Sequence, residues 1–136
     1  MQCVLCYQGD ATDTERFPDE HRITCPRCGT YAASGRAYAV LSPGGALDKK
    51  LDTRLHLTWA ARQASEFGAP LEFSTENIEE IARSVEEPHP PSRKLDQLIL
   101  LLGNRAAAYG KGVPLDKAKD WPLVFARGEV EFEALA

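Results

Sequence analysis

The chain has 136 residues, 43% of them apolar and 26% charged, with a formal net charge of −4. These values fit one globular domain or two small ones and exclude a low-complexity, strongly charged disordered chain. No apolar run approaches the roughly 18 residues of a membrane-crossing helix, and the acidic balance counts against nonspecific nucleic-acid binding, which needs a basic surface.

The four cysteines of the chain form two CxxC pairs near its start. Cys3-Val4-Leu5-Cys6 is followed, eighteen residues later, by Cys25-Pro26-Arg27-Cys28-Gly29. A CxxC bends into a knuckle that turns both sulfurs toward one ion, and two knuckles supply the tetrahedral ligand set of a structural zinc site. Gly29 suits a knuckle whose backbone turns left-handed, and Pro26 fixes φ within it. Two disulfides or a redox CxxC are the competing readings. Met1-Gln2-Cys3 begins without the basic and apolar run of a secretory leader, and no βαβ pattern follows the motif, so a metal is expected in a cytoplasmic setting. Four thiolates accept iron as well as zinc. They leave no coordination position open, so the expected cofactor is one structural Zn2+ held by Cys3, Cys6, Cys25 and Cys28. His21, His56 and His89 have no partner ligand at helical or knuckle spacing and are expected on the surface or in packing.

Between the knuckles, Gly9-Asp10 and Pro18-Asp19 mark turns, and residues 14–17 and 22–24 are short strand candidates. Residues 30–34 form a third, and Tyr31 is expected to cover the metal or the junction with the next domain. Ser42-Pro43-Gly44-Gly45 breaks the chain. A helix is predicted over residues 47–67, with Leu47, Leu51, Leu55 and Trp59 as its apolar stripe and Lys49, Lys50, Arg54 and Arg62 mostly off it. Gly68 and Pro70 stop it. Ser74 is the predicted N-cap of the next helix, with Phe73 and Ile78 as a hydrophobic staple. Ile78, Ile81, Ala82 and Val85 face its core, and Glu76, Glu79 and Glu80 sit at the positive end of the helix dipole.

Residues 88–91, with three prolines around His89, form a stiff connector. Ser92 caps a helix over residues 93–109, whose predicted buried stripe is Leu95, Leu98, Ile99 and Leu102, widened by Leu100 and Leu101. Gly103 hints at a close neighbour. Residues 110–112 end this helix, residues 113–115 read as extended, and Trp121-Pro122 leads into a helical turn. Residues 129–136 alternate like a strand but are read as the start of a helix. The pattern stops without a cap, so these 136 residues are expected to be the N-terminal part of something longer. The expected architecture is α+β. A small zinc ribbon of three short antiparallel strands over residues 1–41 packs on a mainly α-helical domain over residues 42–136.

Residues 3–6, the 25–31 knuckle, the 90–102 helix and the 121–132 segment together resemble the N-terminal region of a loose group of uncharacterised bacterial proteins. The resemblance implies a zinc-ribbon sensor or adaptor region, sometimes ahead of a separate effector domain. It carries over the four metal ligands and nothing catalytic.

Three functions are then weighed. The first is a non-catalytic adaptor that presents its surface to a protein partner or to its own downstream domain. The second is a nucleic-acid-binding regulator. Residues 36–62 hold five basic side chains against two acidic, and residues 92–119 six against two. Arg22, Arg27 on an exposed knuckle tip, Arg36, Lys49, Lys50 and Arg54 could then form one basic face, extended by Lys94 and Arg105. The third is an enzyme, which would need a constellation such as Glu79 or Glu80 with His89. There is no GxSxG, P-loop or HExxH motif, and no cysteine is left over as a nucleophile.

Overall fold

The computed structural model describes residues 1–16, 19–88, 92–109 and 115–135, without the side chains of residues 15–16 and 106–109. The expected strand end at Phe17, the turn at Pro18, the connector with His89, the helix stop at residues 110–112 and most of the extended piece after it lie outside the described residues. The chain divides into two compact units, Met1–Glu86 and Glu87–Ala136. It does not divide after residue 41. The architecture is α+β, with an N-terminal sheet followed by a mainly helical region. Among the described residues no helix is long and apolar enough to cross a membrane.

In the first unit, β1 (Thr12–Arg16), β2 (Glu20–Cys25) and β3 (Gly29–Ser34) form an antiparallel meander. Ile23 stands opposite Tyr31 and Cys25 opposite Gly29, so the second knuckle is itself the turn of the β2–β3 hairpin. Ser34 then caps α1 (Gly35–Leu41), its hydroxyl accepting from the Ala37 N–H at 3.2 Å. Residues 42–50 turn irregularly, and α2 (Leu51–Glu66) begins four residues later than the predicted helix. A two-residue strand, β4 (Glu72–Phe73), pairs in parallel with β3 at Ala32 and Ala33, adding a fourth strand to the three expected.

Helix α3 (Ile78–Ser84) follows. The expected cap at Ser74 is not how its start is held. The Asn77 carboxamide accepts from the Ser74 N–H at 2.7 Å and donates to the Glu72 carbonyl at 2.8 Å. Phe73 and Ile78, the expected staple pair, are both buried. One core runs through the whole unit. It contains Cys3, Leu5, Cys25, Cys28, Tyr31, Leu41, Leu47, Leu57, Ala61, Phe73, Ile78 and Ala82. Sheet, knuckles and three helices therefore share one buried interior.

The buried face of α2 differs from the predicted stripe. Leu51 is 70% exposed and Leu55 only half-buried. The buried positions are Arg54, Leu57, Thr58, Ala61 and Arg62, together with Trp59. The first five follow the spacing i, i+3, i+4, i+7, i+8 of one helical face, with an arginine at each end. Trp59 is fully buried, as expected of an anchor, and stacks on His56 with ring centroids 5.1 Å apart.

The second unit consists of α4 (Ser92–Tyr109), α5 (Lys117–Asp120), a 3-10 turn (Trp121–Val124) and α6 (Glu129–Leu135). Its apolar interior includes Leu98, Trp121, Leu123, Val124, Ala126 and Phe132. Of the predicted α4 stripe only Leu98 is buried; Leu95 is 40% exposed and Ile99 59%. The inward face instead carries charge. Lys94 is buried and pairs with Glu87 at 2.6 Å and with Glu131. Arg105 grips buried Asp120 through two bonds of 2.7 and 2.9 Å. Truncating one partner of such a pair would leave the other charge buried and uncompensated.

A hydrogen bond from Arg127, together with Lys94, holds the Glu87 carboxyl at about 2, below its ordinary 4.5. Its folded value is the lower one. Its contribution is therefore complete above about pH 4.5 and fades as pH falls toward about 2. Amide-exchange protection of α4 and α6 is expected to decline over that window. In Glu87→Gln the part of the decline that comes from this titration should be absent.

Candidate metal centre

The two knuckles are built alike from unlike sequences. In each, the N–H of the third residue donates to the sulfur of the first cysteine, Leu5 to Cys3 and Arg27 to Cys25, both at 3.4 Å. In each, the residue after the second cysteine is left-handed: Tyr7 with φ 57° and Gly29 with φ 75°. At Tyr7 this conformation is held from outside. Its hydroxyl donates to the Leu41 carbonyl at 2.9 Å and to Asp48 at 3.1 Å, and the Arg54 guanidinium lies 3.0 Å over its ring. At Gly29 there is no room for a side chain, since a Cβ would sit 2.5 Å from the Ser65 Cβ and Oγ. That serine is needed where it is, because its hydroxyl accepts from the Thr30 N–H at 2.9 Å. Gly29→Ala therefore adds a steric clash to backbone strain. It is expected to cost about 2 kcal/mol, read as a lower urea midpoint of the metal-loaded protein.

The four cysteine sulfurs all lie within 4.8 Å of one another. Cys3 and Cys28 are separated by 3.8 Å and Cys6 and Cys25 by 3.7 Å. A tetrahedron with metal–sulfur bonds of about 2.3 Å has edges of about 3.8 Å, whereas a disulfide requires about 2.05 Å. The sulfurs are thus spaced for a shared ion and are all free thiols. Zinc fits this set, as does any ion accepting four thiolates at that bond length.

The surroundings suit a negative centre. The Tyr31 hydroxyl, fully buried, stands 3.1 Å from the Cys3 sulfur, and the Arg27 Nε–H donates to the Cys6 sulfur at 3.4 Å. Tyr31 thus covers the centre, the first of the two roles its sequence suggested. Without an ion the protons divide unevenly. Hydrogen bonds from Cys28 and then Cys3 push the Cys25 thiol down, while burial, then the bond with Cys25, pushes Cys28 up. Burial raises the Tyr31 hydroxyl, followed by the nearby charge of Cys3, so Tyr31 stays a donor. Metal binding displaces the remaining thiol protons, which makes affinity fall as pH falls.

Helix α2 holds both knuckles. Arg54 donates to the Leu5 carbonyl at 2.8 Å, and Arg62 donates to the Pro26 and Arg27 carbonyls, each at 3.1 Å. Leu5 and Arg27 occupy the same position in the two knuckles, so the helix grips an equivalent carbonyl in each. The arginines stand eight residues apart, about 12 Å along the helix.

This arrangement accounts for two of the six residues expected on a basic face. Arg27 is not on an exposed tip; it is 6% exposed, against Cys6 and the Gly9 carbonyl. Arg54 is equally buried. Arg22 is half-buried, with its Nε lacking a hydrogen-bond partner, and Arg36, Lys49 and Lys50 are exposed. Lys94 and Arg105 are engaged with carboxylates inside the second unit. The roles of Arg27, Arg54 and Arg62 at the knuckles were not anticipated; the usable signal was their spacing on α2 and the Arg inside the CPRC turn.

His21 pairs with Asp13 at 2.8 Å and stacks on Tyr38, with ring centroids 4.0 Å apart. His56 contacts the Ala82 carbonyl at 3.1 Å. Glu79 and Glu80 are exposed. A cleft of about 580 Å3 is lined by Asp19, Glu20, Ser34, Glu72, Phe73, Ser74 and Asn77, among others. Its polar lining is carboxylates, hydroxyls and one amide, without a histidine, cysteine or lysine. The chain matches no family model, no curated protein and no solved structure.

Proposed function

We propose that residues 1–86 form a zinc-stabilised, non-catalytic adaptor module whose single structural Zn2+ is held by Cys3, Cys6, Cys25 and Cys28. The observation that supports this reading is the sulfur geometry: four thiols within 4.8 Å of one another, two pairs of them at the edge length of a metal–thiolate tetrahedron. A centre with four protein thiolates has no position left for water or substrate. Its chemistry is to hold backbone in place, and the backbone it holds is the sheet and α2. The remaining surface is then available to a protein partner or to another domain of the same chain.

The nucleic-acid reading keeps Arg36, Lys49 and Lys50 as exposed cations. It loses Arg27 and Arg54, which support the knuckles. A salt-titrated binding assay of the metal-loaded protein against mixed DNA and RNA separates the readings. The adaptor reading predicts no binding that depends on salt. Affinity falling steeply as salt rises would replace it with the nucleic-acid reading.

A further inference from the structure

Three of the four sulfur ligands are sealed from solvent: Cys3 and Cys28 are 0% exposed and Cys25 is 2%. Cys6 alone is half-buried. The Cys6 sulfur is therefore the ligand through which an electrophile or oxidant is expected to reach the centre first. The side chain lying on that sulfur is Arg27. Its Nε–H points at Cys6 from 3.4 Å, and its Nη2 donates to the Gly9 carbonyl in the loop after the first knuckle. Its own backbone N–H donates to Cys25. Arg27 is thus fixed at three points, and its charge cannot swing away.

A metal-bound thiolate reacts through a sulfur lone pair. An N–H donor on that lone pair and a fixed cation beside it both withdraw electron density, and the guanidinium also covers one line of approach. We propose that Arg27 governs the reactivity of the metal centre by shielding Cys6, making a half-buried thiolate inert. The inference rests on the metal-thiolate reading above and goes beyond it. It assigns one residue the task of keeping a stable structural centre from becoming a reactive one.

Iodoacetamide is the probe. The Cys6 sulfur attacks the methylene carbon; a C–S bond forms, the C–I bond breaks and iodide leaves. The neutral thioether is a poor zinc ligand, so the ion is released to a chromophoric chelator. The full chain is loaded with zinc, treated with excess reagent, and followed by zinc release and by mapping which cysteine is labelled first.

Arg27→Gln keeps an N–H donor without the charge, and Arg27→Lys keeps the charge without the fork. Arg27→Gln is expected to release zinc roughly tenfold faster or more than wild type, about the rate weight of one charge-assisted hydrogen bond, and Arg27→Lys by a smaller factor, with Cys6 labelled first in both. Tyr31→Phe removes a donor from buried Cys3 and should accelerate release far less. An unchanged rate in the Arg27 variants, or a first label on another cysteine, overturns the proposal. Variants that lose zinc before any reagent is added overturn it too, since Arg27 would then retain the ion rather than shield it. A wild-type protein that binds no metal would refute the metal reading instead.

Discussion

Cys25→Ser is expected to release the metal and unfold residues 1–86 as one unit. A ribbon over residues 1–41 with a separate core would lose only its own fold, but the packing shows no such separation. Cys25, Cys28 and Cys3 share a core with Leu57 and Ala61 of α2, Phe73 of β4, and Ile78 and Ala82 of α3. The face of α2 that meets the knuckles carries two buried guanidiniums whose acceptors are knuckle carbonyls. Once the knuckles open, those cations lose their carbonyl acceptors and α2 loses the face it rests on. Structural zinc contributes on the order of 10 kcal/mol or more to small domains, comparable to the whole stability of a domain. Hydrogen exchange should therefore show α2 and α3 losing protection together with β2 and β3. Native-like protection in α2 of the variant would contradict the shared core.

The second large effect is expected at Arg62. Arg62→Ala leaves the Pro26 and Arg27 carbonyls without their donor at the turn of the metal-bearing hairpin. Hydrogen bonds to charged groups contribute about 1.5–3 kcal/mol each, and a buried acceptor left unpaired adds to the cost. A loss of about 3 kcal/mol is expected in urea unfolding of the zinc-loaded protein. Arg62→Lys should rescue little of it, because an ammonium lacks the planar fork that spans two carbonyls. The Glu66 contact, long at 3.5 Å and with its carboxylate exposed, is an i,i+4 pair of little weight. Arg54→Ala should fall in the same range, since it removes the donor to Leu5 and uncovers the Tyr7 ring. A change under about 1 kcal/mol in both variants would mean that α2 does not hold the knuckles.

The four-cysteine cluster and the strands around it were legible in the sequence, because a shared thiolate site demands a fixed spacing and little else does. Helices α2, α3, α4 and α6 were legible as helices, and α3 buries Ile78 and Ala82 as its pattern indicated. The inward faces of α2 and α4 were not legible, and for one physical reason in both units. On α2 the inward face runs Arg54, Leu57, Thr58, Ala61, Arg62, and on α4 it includes Lys94 and Leu98. A hydrophobic count puts such cations in water. Here they are buried because carbonyls of a cysteine knuckle or carboxylates are waiting for them. Leu51, Leu95 and Ile99, which the same count placed inside, are exposed. Helix α1 was missed because its seven residues, Gly35–Leu41, carry no acidic first turn of the kind that marks the equally short α3 and α6. Two-residue β4 was missed because its pairing partner is distant in sequence.

Native mass spectrometry of the intact protein decides whether one ion joins the two knuckles. One zinc ion per chain is expected, bound to four reduced cysteines and lost on acidification or chelation. A metal-free chain carrying the mass of two disulfides in place of four thiols would contradict it, as would full zinc retention by Cys25→Ser.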